Sequence, residues 1–441
     1  MRTSYTAIKS VRNLAILGLL SVAACQTSPE PTLYVTPSPI LSGDPITIEV
    51  QNIDPDVPVA LRLDEIRLRL NTPAYYTSSA TFEAGADGRV STTSDAPIDG
   101  DYSGVDPTGL FWSRQRPEDQ QPDETAELQP LTLSVDIGND GSVEFEQAIT
   151  IVRAFEGIVT EDLGPEFPGA FLARPMTEGP HPVIIVLGGS EGHDSAARDF
   201  APHFASRGYL AVGVPYYSPA WGDQSQQIPG LPRAFAELPV DYLETITEHI
   251  KTFDEVDPDR IGIWGASKGA EYALLAGSLI GDYAAIAAIV PTDVVWEGWG
   301  TGEVVSSFSW RGEPLPFVPY KGMQEEFQKP VPRLRNPHDA GRAANPDRIE
   351  AARIPVETII APVLLVGGDE DSVWGSGPMA RMIAERRNAA DLETELFVSE
   401  TAGHGLSRDG YTVSSAADAK IKGEAYSAML AFFERHLEPT P

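Results

Sequence analysis

The stretch Arg260-Ile261-Gly262-Ile263-Trp264-Gly265-Ala266-Ser267-Lys268-Gly269-Ala270-Glu271-Tyr272-Ala273-Leu274-Leu275 decides how the rest of the chain is read. It opens as an apolar strand, passes through a G-x-S-x-G run and continues at once as a helix with small residues in its first turn. A strand that turns this sharply into a helix crowds its own backbone. Glycine is therefore needed two residues before and two residues after Ser267, and the turn lifts the serine hydroxyl above the sheet. The start of the helix adds a positive dipole and the backbone N–H of Lys268, aimed where an oxyanion would develop. These residues predict a nucleophile elbow.

Outward from the elbow the chain alternates apolar strands with helices. Pro182 to Leu187, Tyr209 to Val214, Ala285 to Val290 and Pro362 to Val366 read as strands, while Ala197 to Arg207 and Val240 to Phe253 read as helices. Strands that are apolar on both faces and joined by crossover helices predict a parallel sheet, so residues 156–441 form one α/β domain. Residues 25–155 follow a different pattern. Ile46, Ile48 and Val50 alternate with polar residues, as do Leu131, Leu133, Val135 and Ile137, after which Gly138-Asn139-Asp140-Gly141 turns the chain into Val143 and Phe145. Alternation with a tight turn predicts a hairpin, and the region as a whole a small antiparallel β-sandwich. Arg114 to Glu127 reads as a solvated loop within it.

A second G-x-S-x-G, Gly188-Gly189-Ser190-Glu191-Gly192, competes for the role of elbow. It follows an early strand and runs into Gly192-His193-Asp194 rather than into a helix. Ser267 is therefore the expected nucleophile, and the backbone near Ser190 supplies the second oxyanion donor alongside Lys268. A serine nucleophile needs a base. Of the seven histidines, only those late in the chain satisfy the order Ser, acid, His. His338 falls in an Arg- and Pro-rich irregular stretch, and His436 in a terminal amphipathic helix. His404, bracketed by Gly403 and Gly405 after the apolar segment Leu396-Phe397-Val398, is the expected base. The acid should close the strand ending at Val366, where Asp369, Glu370 and Asp371 compete. A loop leaving the strand through Gly367-Gly368 carries Asp371 deepest toward the histidine, with Glu370 pointing away. The cluster lacks the ligand spacing of an EF-hand loop, and neither a metal nor a cofactor is expected.

Composition restricts partners and compartment. Asp and Glu number 64 against 32 Lys and Arg, for a formal charge of −32. A field of that sign repels nucleic-acid phosphates and anionic lipid headgroups, which excludes nucleic-acid binding. The single cysteine, Cys25, excludes an intrachain disulfide framework and any multi-cysteine metal site. Arg2, Lys9 and Arg12 precede the apolar run Leu14 to Leu20 and the small residues after it, the three parts of a bacterial secretory signal. Val22-Ala23-Ala24-Cys25 resembles a lipobox, so residues 1–24 are expected to be a cleaved signal peptide and Cys25 a lipidation site. The expected location is the bacterial envelope, outer-membrane anchored and facing the periplasm or the cell surface, with membrane contact only through that anchor.

Over nearly the whole mature length the sequence resembles the acyl-CoA thioesterase and bile acid-CoA:amino acid N-acyltransferase family. The resemblance rests on Ala80-Thr81-Phe82-Glu83-Ala84 with Asp87-Gly88, and above all on Gly100-Asp101-Tyr102-Ser103-Gly104-Val105-Asp106-Pro107-Thr108-Gly109-Leu110-Phe111-Trp112-Ser113. Further along it rests on the Ser267 elbow, Trp310-Arg311-Gly312-Glu313-Pro314-Leu315-Pro316, Ile354-Pro355-Val356-Glu357, Asp371 with Trp374, and Gly403-His404. It implies an N-terminal immunoglobulin-like sandwich joined to a C-terminal α/β-hydrolase domain, with a catalytic triad on Ser267, Asp371 and His404. Conjugating members carry a cysteine nucleophile, whereas the serine here resembles the thioesterases, so hydrolysis of acyl thioesters through an acyl-enzyme is expected over N-acyl transfer. Export separates the chain from cytoplasmic coenzyme A. An envelope carboxylesterase acting on oxygen esters is therefore the alternative. Residues Val294 to Pro337, rich in Trp, Phe, Pro and Gly, would cap an acyl pocket.

Overall fold

A computed structural model describes residues 29–222, 224–411 and 416–439. The expected signal segment 1–24 and Cys25 lie outside the described residues. The N-terminal part is strand-rich. Thr32–Thr36, Thr47–Gln51 and Arg89–Ser91 form one antiparallel sheet. Asp99–Gly100, Thr72–Glu83, Pro58–Arg69, Gln129–Ile137 and Phe145–Ala148 form a second, in that order across the sheet. Alternation decides which side chains face inward. Ile48, Val50 and Val90 of the first sheet join Val59, Leu61, Leu63, Ala80, Phe82, Leu133 and Val135 of the second in one buried cluster. Each Val, Leu, Ile and Phe side chain among them contributes roughly 1.5–3 kcal/mol on burial. The Gly138–Gly141 turn does return the chain as a hairpin, with Val135 opposite Phe145. Arg114 departs from the solvated-loop reading. It is buried and ion-paired to Glu65 at 2.7 Å, because the loop enters the joint between the two parts of the chain before it reaches solvent.

The larger sheet has eight strands: β1 (Val159–Asp162), β2 (Phe171–Arg174), β3 (His181–Leu187), β4 (Leu210–Gly213), β5 (Val256–Ala266), β6 (Ala285–Ile289), β7 (Val363–Gly368) and β8 (Thr394–Ser399). They lie in the order β1-β2-β4-β3-β5-β6-β7-β8. β2 is antiparallel to both neighbours, and β3 to β8 run parallel. This is a hydrolase-like sheet. Six helices cover its faces or carry residues near its C-terminal edge: α1 (Ser195–Ala205), α2 (Asp241–Ile250), α3 (Lys268–Leu279), α4 (Arg335–Ala344), α5 (Ser376–Ala389) and α6 (Ala416–Leu437). Successive side chains of β3 point to opposite faces and explain why both must be covered. Ile184 and Val186 pack with Phe200 and Phe204 of α1 and Phe432 and Phe433 of α6. Val183, Ile185 and Leu187 pack with Leu243 and Ile246 of α2, Tyr272 of α3 and Ile383 of α5.

One further residue differs from its sequence reading. His338 sits in helix α4 and is buried, rather than in irregular chain. Pro332 precedes that helix and Pro337 stands in its first turn, where proline is tolerated. The segment expected to cap an acyl pocket, Val294 to Pro337, is packed over part of its length. Phe308–Trp310 pairs with Leu238–Pro239 and Glu313–Pro314, and Val294, Trp296 and Val318 are buried.

Candidate active site

Ser267 stands between β5 and α3 with φ 57° and ψ −120°. An L-residue rarely adopts such a backbone, at a cost of about 1–3 kcal/mol, unless its surroundings enforce it. Here they do. The Ser267 N–H donates to the Ile289 carbonyl at 2.9 Å, tying the elbow to the end of β6. A Cβ at Gly265 would lie 2.1 Å from the Gly269 carbonyl oxygen. One at Gly269 would lie 2.4 Å from the carbonyl oxygens of both Gly188 and Leu187. Both glycines of the motif are thus required by contact.

The other two expected residues converge on that serine. His404 Nε2 lies 2.9 Å from Ser267 Oγ, and His404 Nδ1 lies 2.8 Å from Asp371 Oδ2. Gly368, at the end of β7, lets the histidine loop pass close by, since a Cβ there would meet the Ala402 carbonyl oxygen at 2.2 Å. Asp371 is fully buried, and its Oδ1 accepts the N–H groups of Val373 and Trp374 at 2.8 and 3.3 Å. Burial alone would raise its pKa. The hydrogen bond and charge of His404 outweigh that and hold the carboxyl below its usual value. The competing acids are engaged elsewhere. Asp369 pairs with Arg381 at 2.6 and 2.9 Å, and Glu370 is exposed. The edge of Trp374 packs on the His404 ring at 5.4 Å, and its indole N–H donates to the Val290 carbonyl at 3.0 Å.

Ser190 lies in the loop between β3 and α1, which faces the elbow: a Cβ at Gly189 would come within 3.1 Å of Ser267 Cβ. Within that loop the Gly189 N–H donates to Glu191 Oε1 at 2.9 Å, and Tyr216 donates to the Gly188 carbonyl at 2.6 Å. Lys268 is the first residue of α3, so its N–H has no acceptor inside the helix.

Sequence reasoning missed what the Lys268 side chain does. Its ammonium is buried and donates to Glu271 Oε2 at 2.5 Å and Ser307 Oγ at 2.8 Å, with the rings of Phe235, Phe308 and Trp299 5.1, 5.1 and 5.9 Å away. Glu271 Oε1 accepts the Trp296 N–H at 3.1 Å. Burial lowers the lysine pKa and raises the glutamate's, and each partner's charge opposes the shift of the other. Through these bonds the elbow helix grips the 294–310 segment. The i,i+3 spacing was visible, but on an exposed helix it would mean a surface pair worth a few tenths of a kcal/mol. His338 was also missed. Its ring packs edge-on against Trp296, Tyr320 and Trp374 at 4.6, 4.8 and 5.6 Å, and burial lowers its pKa to about 4. Among the described residues no group of three or more His, Cys, Asp or Glu is arranged to hold a metal ion.

Comparison with known families turns on both halves of the chain. Residues 43–157 match the family described as "Acyl-CoA thioester hydrolase/BAAT N-terminal region", and residues 238–409 match "BAAT / Acyl-CoA thioester hydrolase C terminal". The chain belongs to the acyl-CoA thioester hydrolase/BAAT family. Relatives within it include acyl-coenzyme A thioesterase 1 of Mus musculus, 26% identical over 399 residues and covering 88% of each chain. Mitochondrial acyl-coenzyme A thioesterase 2 of the same species is 26% identical over 393 residues, 85% of this chain and 78% of the relative. Peroxisomal succinyl-coenzyme A thioesterase, also of Mus musculus, is 24% identical over 445 residues, 93% of this chain and 97% of the relative. Among solved structures, a putative dienelactone hydrolase from Klebsiella pneumoniae aligns with a TM-score of 0.41 at 18% identity, over 64% of this chain and 100% of that one. This member of the acyl-CoA thioester hydrolase/BAAT family is an enzyme, a thioester or ester hydrolase.

Proposed function

We propose that the chain hydrolyses acyl thioesters, acyl-CoA among them, through a covalent acyl-serine. The observation that carries this reading is the hydrogen-bonded series Ser267 Oγ, His404, Asp371 on a strained elbow. Ser267 Oγ attacks the thioester carbonyl while His404 Nε2 takes its proton, and Asp371 holds the imidazole in the tautomer that accepts it. The tetrahedral oxyanion sits at the N–H groups of Lys268 and of the loop at Ser190, favoured by the start of α3. Collapse breaks the C–S bond, and His404 returns the proton to the departing thiolate. Water then attacks the acyl-serine with His404 again as base, releasing the carboxylic acid and restoring Ser267. An acyl-serine is an oxygen ester, less reactive toward amines than the thioester a cysteine would form, which favours hydrolysis over transfer to an amine.

The strand-rich N-terminal part serves in this reading as the family's immunoglobulin-like domain. The boundary near residue 155 and an exported, Cys25-anchored location complete the proposal. The test compares kcat/KM of the purified protein on palmitoyl-CoA and on a short p-nitrophenyl ester. A clear preference for the thioester is expected. A much higher value on the aryl ester would make the chain a carboxylesterase.

A further inference from the structure

His404 is carried on a segment that starts at the hydrolase sheet, after β8, and by Tyr411 has reached the N-terminal sheets. Near its start, Ala402 and Gly403 pass over Gly368 of β7, and Leu406 is buried with the α1 and α6 face of the hydrolase sheet. Its far end leaves that core. Tyr411 belongs to the buried cluster of the N-terminal sheets, and its ring lies 5.5 Å from that of Phe111. The Tyr411 hydroxyl donates to the Asp44 carbonyl at 2.6 Å, and its own carbonyl accepts from Arg114 Nη2 at 2.7 Å. Arg114 is itself fixed by Glu65 at 2.7 Å and by the Phe111 carbonyl at 3.0 Å. Asp409 is held in the same way. Its Oδ2 accepts from Ser42 and, at 2.9 Å, from Arg153, while its Oδ1 accepts the Tyr411 N–H at 3.0 Å.

We propose that the N-terminal part is a brace for the catalytic histidine: Asp409 and Tyr411, gripped by Ser42, Asp44, Phe111, Arg114 and Arg153, are positioning residues that keep the His404 loop in register with Ser267. The brace rests on the proposed roles of Ser267, Asp371 and His404 as a triad. It gives the two-part architecture a catalytic purpose and gives the long 100–113 string a physical reason, since Phe111 lies within it and Arg114 directly follows it. A base held by one end of a loop wanders, and misplacement by about an ångström lowers turnover by as much as a hundredfold.

The experiment uses the full-length protein well below its melting temperature. It measures kcat, KM, the second-order rate of labelling by a fluorophosphonate, and Tm. Tyr411→Phe and Asp409→Asn remove bonds to the brace while keeping side-chain volume. Each is expected to lower kcat and the labelling rate together by about tenfold, with KM changed less than about twofold. Val135→Ala removes core volume from the same N-terminal cluster without removing a bond to the loop, and is expected to lower Tm while leaving kcat unchanged. Wild-type kcat and labelling in both loop variants, whatever happens to Tm, would overturn the brace, as would a rise in KM alone. Should Asp409→Asn fail to fold, Tyr411→Phe, which keeps the packed ring, decides the matter by itself. Ser267→Ala is run in parallel. Its inactivity beside unaffected loop variants refutes only the brace, whereas its retained activity refutes the triad.

Discussion

Asp371 and Asp369 stand two residues apart on the same turn, yet only one can serve His404. Ser267→Ala, His404→Ala and Asp371→Asn are each expected to lower kcat by orders of magnitude, about 10⁴-fold for the carboxylate, and combining them should cost little more than Ser267→Ala alone. Asp369→Asn, which loses the Arg381 pair at the surface, should stay within a few-fold of wild type; a dead Asp369→Asn beside an active Asp371→Asn would reverse the assignment. His338 makes a separate prediction about stability. Its pKa falls from 6.5 to about 4 in the folded chain, so between those values the unfolded chain binds the proton and the folded one does not. Stability is therefore complete above pH 6.5 and is lost as pH falls toward 4, by about 3 kcal/mol from this group. Denaturant titrations at several pH values should show that fall, and His338→Phe should flatten it. An unchanged slope in the variant would contradict the account. Ser267, Asp371 and His404, the proposed triad, could be singled out in the sequence because each sits in a local pattern of glycines and strand ends. The Lys268 cage and His338 were not, because burial by Phe235, Trp299, Trp296 and Tyr320 depends on segments remote in sequence.

The elbow is an element whose glycines are fixed by contact. Gly269 has no room for a methyl group against the Leu187 and Gly188 carbonyls at the end of β3, so Gly269→Ala must push α3 away from the sheet. It should destabilise the protein by about 1–3 kcal/mol and lower kcat by more than that loss of folded protein explains. A variant with normal kcat per folded molecule would show that the elbow tolerates the shift. The central strands β3 to β7 were readable because burial on both faces leaves an unbroken apolar run. The edge strands β1 and β2 and the long 58–83 hairpin were not. Val159–Asp162 is exposed along its length, and the hairpin turns on Leu70-Asn71 at φ 51° and 64° without the glycine that usually marks such a turn. The Val294–Pro337 segment was recognisable by its aromatic content. Its packing was not, since it is pinned by Lys268 and Glu271 through buried polar bonds that no period in the sequence announces.

For the whole molecule, charge and location are linked. With a formal charge of −32, the chain has no electrostatic attraction to an anionic bilayer, so the proposed envelope location requires acyl chains on Cys25. Cys25→Ser should release the protein into a soluble fraction or leave it unprocessed, while Ser267→Ala should fractionate as wild type. Intact Met1 on cytoplasmic protein would contradict the export. The two-part organisation was legible as a change from alternating to continuous apolar strands. The joint was not, because Ser42 with Asp409 and Arg114 with Tyr411 pair across 367 and 297 positions of sequence. The central claim is that thioester cleavage passes through an acyl group on Ser267, and rapid-quench mass spectrometry of the protein mixed with excess palmitoyl-CoA tests it most directly. The account predicts a palmitoyl adduct that maps to Ser267, forms as free thiol is released, and is absent from Ser267→Ala. Undiminished thiol release by Ser267→Ala, or an adduct on another residue, would contradict it.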